Sequence, residues 1–389
     1  MTPSTTPSRP MTVLFVVGAG ERAGAERVLL TLARAVDRSR VRPVVAFLDD
    51  GPFVDEVRMA GIEVVQLGRS GRLRNLRRVP RTVARLRDAI ESVGADVVQA
   101  TGDKMSVYAG WAARLAGRPC VFWLHNAPGT PTWFAQLAMT VTPRASVVAC
   151  SRWMADAFRE RLGLPAVAIQ NGLPLDELPV PPGGRGEILV ATGWPCDAVV
   201  VGHFARLQRW KGTEVFIRAC AEVAERHERL RFLVVGGALF GREQEYADSL
   251  PRLAAELGLG DRIHFTGFRP DALDLMAASD VVAHCSLRAD PFPTVVLEAM
   301  ALGRPVVATR TRGPEESLDE GRTGLLVAPG DHVGLAGALD RLAGSPGLRD
   351  AIGRAAREEA LEHYSAERFA TEFEDHWSGL LGHRAGVPG

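Results

Sequence analysis

The stretch AVVVGHFARLQRWKGTEVFIRACAEVAE, residues 198–225, decides the fold class. It opens with a β-branched run over 198–204, and after a short polar loop it continues with the apolar spacing of an amphipathic helix over 214–225. Strands that are buried on both faces of a parallel sheet read as such nearly continuous apolar runs. The stretch therefore predicts a strand, a loop and a helix, which together make up most of one βαβ unit.

The same alternation of short apolar runs with helical patterns extends in both directions along the chain. It predicts an α/β protein with two Rossmann-like, doubly wound parallel-sheet domains that face a cleft. In such sheets ligands bind beyond the carboxyl ends of the strands, so the loops there are the candidates for chemistry. The other predicted strands are 13–17, 41–48, 96–99, 120–125 and 147–149 in the first half, and 230–235, 263–266, 281–285 and 305–309 in the second.

The boundary between the domains is predicted at LPVPPGGRG, residues 178–186, because its prolines and glycines favour extended or turning backbone over helix and sheet. We expect a disordered tail over 1–10, a first domain over 11–180 and a second domain over 181–365. Residues 366–389 are expected to form a C-terminal helix that packs back on the first domain.

The composition argues against several classes of protein. The 46 basic residues balance the 46 acidic ones, so no overall field draws the chain to nucleic acid or to a membrane. No apolar stretch approaches the ~20 residues that span a bilayer, and the first apolar run is too short for a signal peptide, so we expect a cytoplasmic protein. Five scattered cysteines without metal-ligand spacing argue against disulfides and zinc, and we expect reduced core residues.

The segment from Arg69 to Arg87 holds eight Arg and no acidic residue. It could contact an anionic acceptor or a membrane surface. Its Leu and Val spacing favours the alternative of an ordinary amphipathic surface helix after Pro80.

The loop GAGERAGAE, residues 18–26, follows the first strand and leads into a helix. It satisfies the G-x-G-x-x-A pattern, whose glycines let the backbone approach a phosphate at a helix N-terminus. The second strand ends in Asp49-Asp50, an acidic pair that could bind a ribose. Taken alone, this half would also suit an NAD(P)-dependent oxidoreductase, although turn geometry by itself explains many such loops.

A second loop at the carboxyl end of a strand, ARLQRWKGT (205–213), carries Arg206 and Lys211. Both bases could reach one pyrophosphate, and charge-assisted hydrogen bonds of that kind contribute ~1.5–3 kcal/mol each. Lysine is scarce, because only Lys104 and Lys211 occur among the 46 basic residues. A retained Lys indicates a task for a compact ammonium rather than a planar guanidinium. The alternative, two solvated surface bases, leaves that scarcity unexplained.

A third candidate is DPFPTVVLEAM, residues 290–300. Thr294 is predicted to cap a helix, so that Asp290 and the amides of 292–296 crowd its N-terminus and Glu298 lies one turn into it. Such a terminus attracts anions, and carboxylates beside it can accept hydroxyls from a sugar and a ribose. The alternative, a capped helix with an exposed glutamate, accounts for Glu298 alone.

Taken in order, these motifs resemble those of the retaining glycosyltransferases of family 4. The resemblance runs over nearly the whole chain and implies a GT-B fold, with the acceptor on the first domain and a nucleotide-sugar donor on the second. The motifs that carry it are AGAE (23–26), R-x4-K (206–211), Asn171-Gly172, FTGF (265–268), the acid-x7-Glu pair at 290 and 298 with LEAMA (297–301), and TGLLVAPGD (323–331).

The resemblance also implies roles for the donor-site residues. Arg206 and Lys211 would bind the pyrophosphate, and Glu298 would bind the ribose. Asp290 would face the donor sugar hydroxyls, but the family usually has Glu there, so the shorter side chain leaves the identity of the sugar open. The remaining expected donor contacts are Gly24, Gly267, Phe268, Phe292, Pro293 and Thr294, with the backbone near Phe268 holding the base.

For the first domain, the resemblance implies that His125, in FWLHNAP, lies near the transferred sugar and its leaving group. A lone histidine at a strand end is otherwise more often structural. Lys104, in ATGDKMS, follows another strand end and is expected to contact the donor phosphate or the acceptor. Glu21 and Asn126 are candidates for the same contacts.

The expected activity is transfer of a sugar from a nucleoside diphosphate, with UDP favoured, to an acceptor hydroxyl with retention at the anomeric carbon. No metal ion or other cofactor is expected, because two fixed cations can replace a divalent ion and no Asp-x-Asp cluster is placed to hold one. The alternatives are the oxidoreductase, a GT-B-type epimerase or phosphorylase, and a non-catalytic two-lobed sugar-binding protein. Natural products, lipid-linked precursors and glycans all stay open as acceptors.

Overall fold

The chain folds into two units, each built on one parallel β-sheet. The computed structural model describes residues 9–18, 24–68, 79–126, 139–140, 142, 144–163, 165–180, 184–238 and 243–382. The first unit contains the described residues up to Leu173 and from Ala366 onward, and the second unit is Pro174–Ser365. The expected tail over 1–10 lies almost entirely outside the described residues.

The first unit has a seven-stranded sheet in the order β3-β2-β1-β4-β5-β6-β7. Strand β1 pairs with β2 on one side and with β4 on the other. The chain leaves β1 toward β2 and β3, then returns to place β4 on the opposite side of β1. The loops after β1 and β4 therefore diverge, which makes this position a topological switch point. Its strands are β1 Met11–Val17, β2 Val41–Phe47, β3 Glu63–Gln66, β4 Val97–Thr101, β5 Cys120–Leu124, β6 Ala145–Ala149 and β7 Ala166–Ala168.

Helices cover this sheet, and the last helix of the chain is one of them. Phe369, Phe373 and Trp377 of that helix are buried in the same core cluster as Phe15 and Trp123. The Trp377 indole N–H donates to the Gln99 side-chain oxygen at 2.8 Å, which ties the end of the chain to β4. The helices are α1 Gly24–Ala35, α2 Pro52–Met59, α3 Val79–Ser92, α4 Asp103–Leu115, α5 Arg152–Leu162 and, from the end of the chain, α14 Ala366–Gly382.

The second unit has a six-stranded sheet in the order β10-β9-β8-β11-β12-β13. Here β8 and β11 are neighbours, so the loops that follow these two strands diverge at the switch point. Its strands are β8 Val199–Phe204, β9 Leu230–Val235, β10 Ile263–Gly267, β11 Val281–His284, β12 Val306–Thr309 and β13 Gly324–Val327.

The helices of the second unit cover its sheet, and residues of the helix Thr213–Ala224 lie in one core cluster with residues of β8, β9 and β11. None of the helices within the described ranges combines the length and the apolar character that crossing a bilayer requires. The helices are α6 Arg185–Thr192, α7 Thr213–Ala224, α8 Gln244–Glu256, α9 Ala272–Ala278, α10 Thr294–Ala301, α11 Gly313–Ser317, α12 His332–Ala343 and α13 Pro346–His363.

The units divide earlier than the sequence predicts, at Leu173 and Pro174 rather than at 180 and 181. The Pro/Gly-rich stretch also runs into a helix, because α6 begins at Arg185 directly after Gly184 in the left-handed conformation. The Arg185 guanidinium binds the Ala198 and Ala278 carbonyls at 2.6 and 2.9 Å. These contacts fix α6 to the second unit.

The structure corrects the prediction for the cysteines and supports one of the two interpretations of the arginine-rich segment. All five cysteines are free, but Cys196 is exposed in the turn before β8, which corrects the prediction that every cysteine is a core residue. In the arginine-rich segment, 69–78 lie outside the described residues. The rest begins α3, whose buried face includes Val83, Leu86 and Ile90, as an amphipathic surface helix requires.

Candidate functional site

The candidate site of the second unit lies where the loops after β8 and β11 touch. Gly212 has φ 71° in the first loop, and a Cβ added there would lie 1.9 Å from the Cys285 carbonyl oxygen. Only glycine fits such a close approach of two backbones. The Leu287 amide donates to the Trp210 carbonyl at 2.7 Å and holds the two loops together. Side chains from both loops therefore share one site.

An ion pair joins these loops. The Lys211 ammonium lies 2.6 Å from Asp290 Oδ2, and the side chains are only 15% and 9% exposed. The same carboxylate oxygen accepts a hydrogen bond from Ser286 Oγ at 2.8 Å and lies 3.0 Å from His284 Nε2. Because a carboxylate only accepts, His284 Nε2 carries the proton in this contact. Three donors thus converge on one oxygen atom.

The charge state of Asp290 follows from these neighbours. Burial by itself would raise the pKa of the Asp290 carboxyl, but Lys211 and His284 outweigh it and hold that pKa well below its usual range. Asp290 is therefore ionised at neutral pH. A buried pair of this kind is stabilising only because its hydrogen bonds compensate for the lost hydration.

Arg206 begins the same loop and differs from Lys211 in its contacts. Its side chain is partly exposed, and within the described ranges no hydrogen bond or ion pair of its guanidinium occurs. The loop backbone is nevertheless fixed, because the Leu207 amide donates to the Gly237 carbonyl at 3.0 Å. Arg206 is thus a cation on a fixed backbone that is available to an anionic ligand.

Helix α10 begins four residues after Asp290, and its start corrects the prediction that Thr294 is the cap. Thr294 is the first helical residue rather than the cap, and Pro293 holds the N-cap position without a side-chain hydrogen bond. Proline has no side-chain acceptor, so no side-chain oxygen at the N-cap position binds the first amides of α10. The Phe292 ring is buried against Tyr364 at 5.7 Å, so only its backbone is available to a ligand. Glu298 is buried on α10, which also corrects the exposed-glutamate alternative.

The loops after β9 and β10 complete this edge of the sheet. Gly236, after β9, has φ 140°, and a Cβ there would lie 1.9 Å from the Ala205 carbonyl oxygen. Its amide donates to the Gly267 carbonyl at 2.9 Å. Phe268 follows with 63% of its surface exposed. The predicted base contacts therefore lie on the edge of the sheet that also carries Arg206.

In the first unit, His125 follows β5 at the carboxyl edge of the sheet. Its ring lies 4.4 Å from the Trp123 ring, and burial lowers the pKa of His125 to about 4. Its Nε2 atom is buried and has no hydrogen-bond partner within the described ranges. The imidazole is therefore neutral at pH 7, and the described residues supply no partner for one of its ring nitrogens.

The other first-unit candidates are placed less completely. Lys104 lies in the first turn of α4, and burial raises the pKa of the neighbouring Asp103. Gly24 begins α1, and Asn126 is exposed directly after His125. Glu21 lies outside the described residues, as does most of the loop after Asn126.

Both halves of the chain match models of known families. Residues 22–177 match Glycosyltransferase Family 4, and residues 185–359 match Glycosyl transferases group 1. The chain is also 30% identical to Anabaena HepE in its complex with UDP-glucose, over 95% of this chain and 100% of that one, with a TM-score of 0.81. The chain belongs to glycosyltransferase family 4.

Two other similarities bear on how much of a relative the chain covers and on its fold. The D-inositol 3-phosphate glycosyltransferase of Saccharomonospora viridis is 39% identical over 187 residues, which cover 46% of this chain and 42% of that protein. The chain thus spans less than half the length of this curated relative. A glycosyltransferase from Rickettsia africae, 20% identical with a TM-score of 0.85, covers 96% of this chain and shows the fold alone. The predicted GT-B class, with two Rossmann-like parallel-sheet units, is confirmed.

Within this family 4 chain, the structure brings Lys211, Asp290 and α10 together in the second unit. The roles that the resemblance implies for them, and for Arg206 and Glu298, stay predictions. Sequence reasoning missed His284 and Ser286, which hold the Asp290 carboxylate. Both lie at the end of β11 just before the acid, so the rule that chemistry lies at carboxyl strand ends could have found them.

Proposed function

We propose that this chain transfers a sugar from a nucleoside-diphosphate sugar, with UDP as the nucleotide, to an acceptor hydroxyl with retention of anomeric configuration. One observation carries the proposal: Arg206 and the buried Lys211–Asp290 pair lie on adjoining loops at the switch point of the second unit. Open α/β sheets bind nucleotides at this place. The two cations supply the charge that a diphosphate requires.

The choice of UDP draws on the similarity to HepE, which extends over 95% of this chain and whose structure contains UDP-glucose. The Lys211–Asp290 pair supports the diphosphate part of the donor, whatever its base, and this support does not depend on any relative. It keeps an ammonium at the loop in a fixed position before a ligand arrives, at a protein site of low effective dielectric. Fixed charges of this kind stabilise a departing diphosphate more strongly than mobile ones.

The chemistry follows from those positions. As the bond from the anomeric carbon to the diphosphate breaks, negative charge grows on the diphosphate, and Arg206 and Lys211 stabilise it. Two fixed cations can replace a divalent ion, so we propose that no metal is needed and that EDTA leaves turnover unchanged. Lys211→Ala should lower the rate at least tenfold, which corresponds to ~1.4 kcal/mol of lost transition-state stabilisation.

His125 is proposed to act on the first unit, near the transferred sugar. Its imidazole is neutral because its pKa is about 4. It can accept a hydrogen bond from a hydroxyl or donate one to it without adding positive charge. The Nε2 atom is buried and has no partner in the described part of the chain, which supports a role in ligand binding because such an atom is costly unless a ligand supplies its partner.

A thermal-shift screen tests the proposal with UDP, GDP, ADP, dTDP, NAD and NADP on the wild type and on Lys211→Ala. A ligand that binds only the folded state raises stability by RT ln(1 + [L]/Kd). The proposal predicts a shift with UDP that is lost in Lys211→Ala. A shift only with NAD or NADP, equal in both proteins, would instead support the dinucleotide interpretation of the first loop. The UDP-sugars would then be assayed for transfer, which separates a transferase from an epimerase or a binding protein.

A further inference from the structure

The Lys211 ammonium has a second neighbour besides Asp290. It lies 4.1 Å from the centroid of the Trp210 ring, over the face of the indole. A cation over an aromatic face is attracted by the negative potential of the ring, and the attraction grows when water is excluded. The ammonium is therefore held between an anionic oxygen and an aromatic face.

The indole itself is fixed. Trp210 lies in the 3₁₀ turn Arg209–Lys211, and its indole N–H donates to the Gln208 side-chain oxygen at 2.9 Å. The Lys211 amide donates to the Gln208 carbonyl at 2.8 Å, and the Trp210 carbonyl accepts the bond from Leu287. The ring is thus held relative to the loop that also carries Asp290.

The neighbouring cation of the same turn has a different environment. The Arg209 guanidinium lies 4.8 Å from the ring of Tyr246, which belongs to α8, and the Arg209 amide donates to Glu243 at 2.8 Å. Arg209 therefore has its own aromatic partner on another element. The Trp210 face is left to Lys211, and Arg209 provides a matched control in the same turn.

The physical need for such a face comes from the lysine side chain. Its four-carbon stem has many rotamers, and a ligand that had to select one of them would bind more weakly. Asp290 alone attracts the ammonium from one side only. A second contact from the indole restricts the direction of the remaining N–H groups before the ligand binds, which is the condition for electrostatic preorganisation.

We propose that Trp210 is a positioning residue whose indole face fixes the Lys211 ammonium for the diphosphate of the donor. Trp210 acts through Lys211 and need not touch the reacting atoms. The identity of the ligand rests on the proposed function, whereas the contact between the indole and the ammonium does not.

A double-mutant cycle tests this role, with UDP and inorganic pyrophosphate as calorimetric probes. The variants are W210L, W210F, K211M and W210L/K211M, with R209A as the control. Because leucine removes the aromatic face, W210L should weaken binding of both probes about fivefold to tenfold and lower kcat for UDP release from UDP-glucose. W210F keeps a face and should stay within about twofold of the wild type, as should R209A. In the K211M background, W210L should have less than a twofold further effect.

A merely structural tryptophan would give a different pattern. W210L would then weaken binding by the same factor with and without Lys211, and this additive result would overturn the inference. An effect of W210F as large as that of W210L would also overturn it, because the indole N–H rather than the ring face would then matter. Coupled effects on pyrophosphate without turnover of any UDP-sugar would support the positioning role and contradict the proposed function. Binding of both probes that ignores K211M would contradict both.

Discussion

Each unit has a histidine near the carboxyl edge of its sheet, buried in the second unit and partly exposed in the first, and the two rings differ in their hydrogen bonds. In the second unit, His203 Nδ1 donates to the Ala283 carbonyl at 3.0 Å, and Nε2 lies 3.2 Å from the Thr213 hydroxyl, which must donate. In the first unit, His125 Nε2 has no partner among the described residues. Burial lowers the pKa of both to about 4, so the difference lies in hydrogen bonding and not in charge.

A similar contrast appears in other buried polar groups of the two units. The second unit directs three donors at Asp290 Oδ2. The first unit leaves Thr101 Oγ1 and Tyr108 Oη buried without a hydrogen bond in the part of the chain that the structure describes. Unsatisfied buried groups cost ~1–3 kcal/mol each and are retained where another molecule supplies the partner. The second unit therefore fixes its ion pair before a ligand binds, although His284 Nδ1 is also buried without a hydrogen bond among the described residues, as several groups of the first unit are.

The largest expected effect is a loss of stability when the Lys211–Asp290 pair of the second unit is broken. Asp290→Asn removes the charge that compensates the buried Lys211 ammonium, and breaking a buried pair from one side costs ~3–5 kcal/mol. Urea unfolding should show a loss of that order. Asp340→Asn is the matched control, because Asp340 pairs with Arg226 and His227 at an exposed position and should lose less than ~1 kcal/mol. Equal losses in the two variants would show that the Asp290 pair is not buried in solution.

The pH dependence of stability tests the two histidines together. Each has a folded-state pKa near 4 and an unfolded-state pKa near ~6.5, so the unfolded chain binds more protons between these values. The free energy of unfolding should therefore fall as the pH falls from ~6.5 to 4, by on the order of 3 kcal/mol per histidine.

Urea titrations at pH 7, 6 and 5 measure this slope, and His125→Asn should reduce it by about one proton. A free energy of unfolding that is constant over this range would mean that neither imidazole is buried neutral.

The smallest expected effects are those of two Thr→Val substitutions, which should change the free energy of unfolding in opposite directions in the two units. Thr101→Val removes a hydroxyl that has no partner and should raise the free energy of unfolding by up to ~1 kcal/mol. Thr213→Val removes the partner of His203 Nε2 and should lower it by ~1–3 kcal/mol. Both threonines are at least nine-tenths buried, so the pair is matched in size and burial. Destabilisation of similar size in both variants would remove the contrast between the units.

The sequence predicts the strands of the second unit closely, because buried parallel strands are continuous apolar runs. Strand β9, Leu230–Val235, coincides with its predicted range. The short edge strands β3, β7 and β13 were not predicted, since three or four residues carry too little pattern. The boundary between the units was misplaced, because Pro and Gly indicate a break in secondary structure and not a break in packing.

The candidate site was predicted in its residues but not in its contacts. Arg206 and Lys211 were identified from a loop at a strand end, and Asp290 was identified from its position before a predicted helix. The 2.6 Å pair between Lys211 and Asp290 joins residues 79 positions apart, and no local pattern shows such a contact. For the same reason His284 was not recognised as a partner of the acid. Thr294 was predicted as the cap from its hydroxyl, but the helix begins one residue earlier than that prediction implies, with Pro293 at the N-cap position.

Calorimetric titration of UDP into the wild type, Lys211→Met and Thr101→Val tests most directly whether the second unit holds the nucleotide through its organised cation. We expect one UDP site in the wild type, at least tenfold weaker binding in Lys211→Met, and unchanged affinity in Thr101→Val. UDP affinity that is unaffected by Lys211→Met would contradict the proposal that the Lys211–Asp290 site binds the donor.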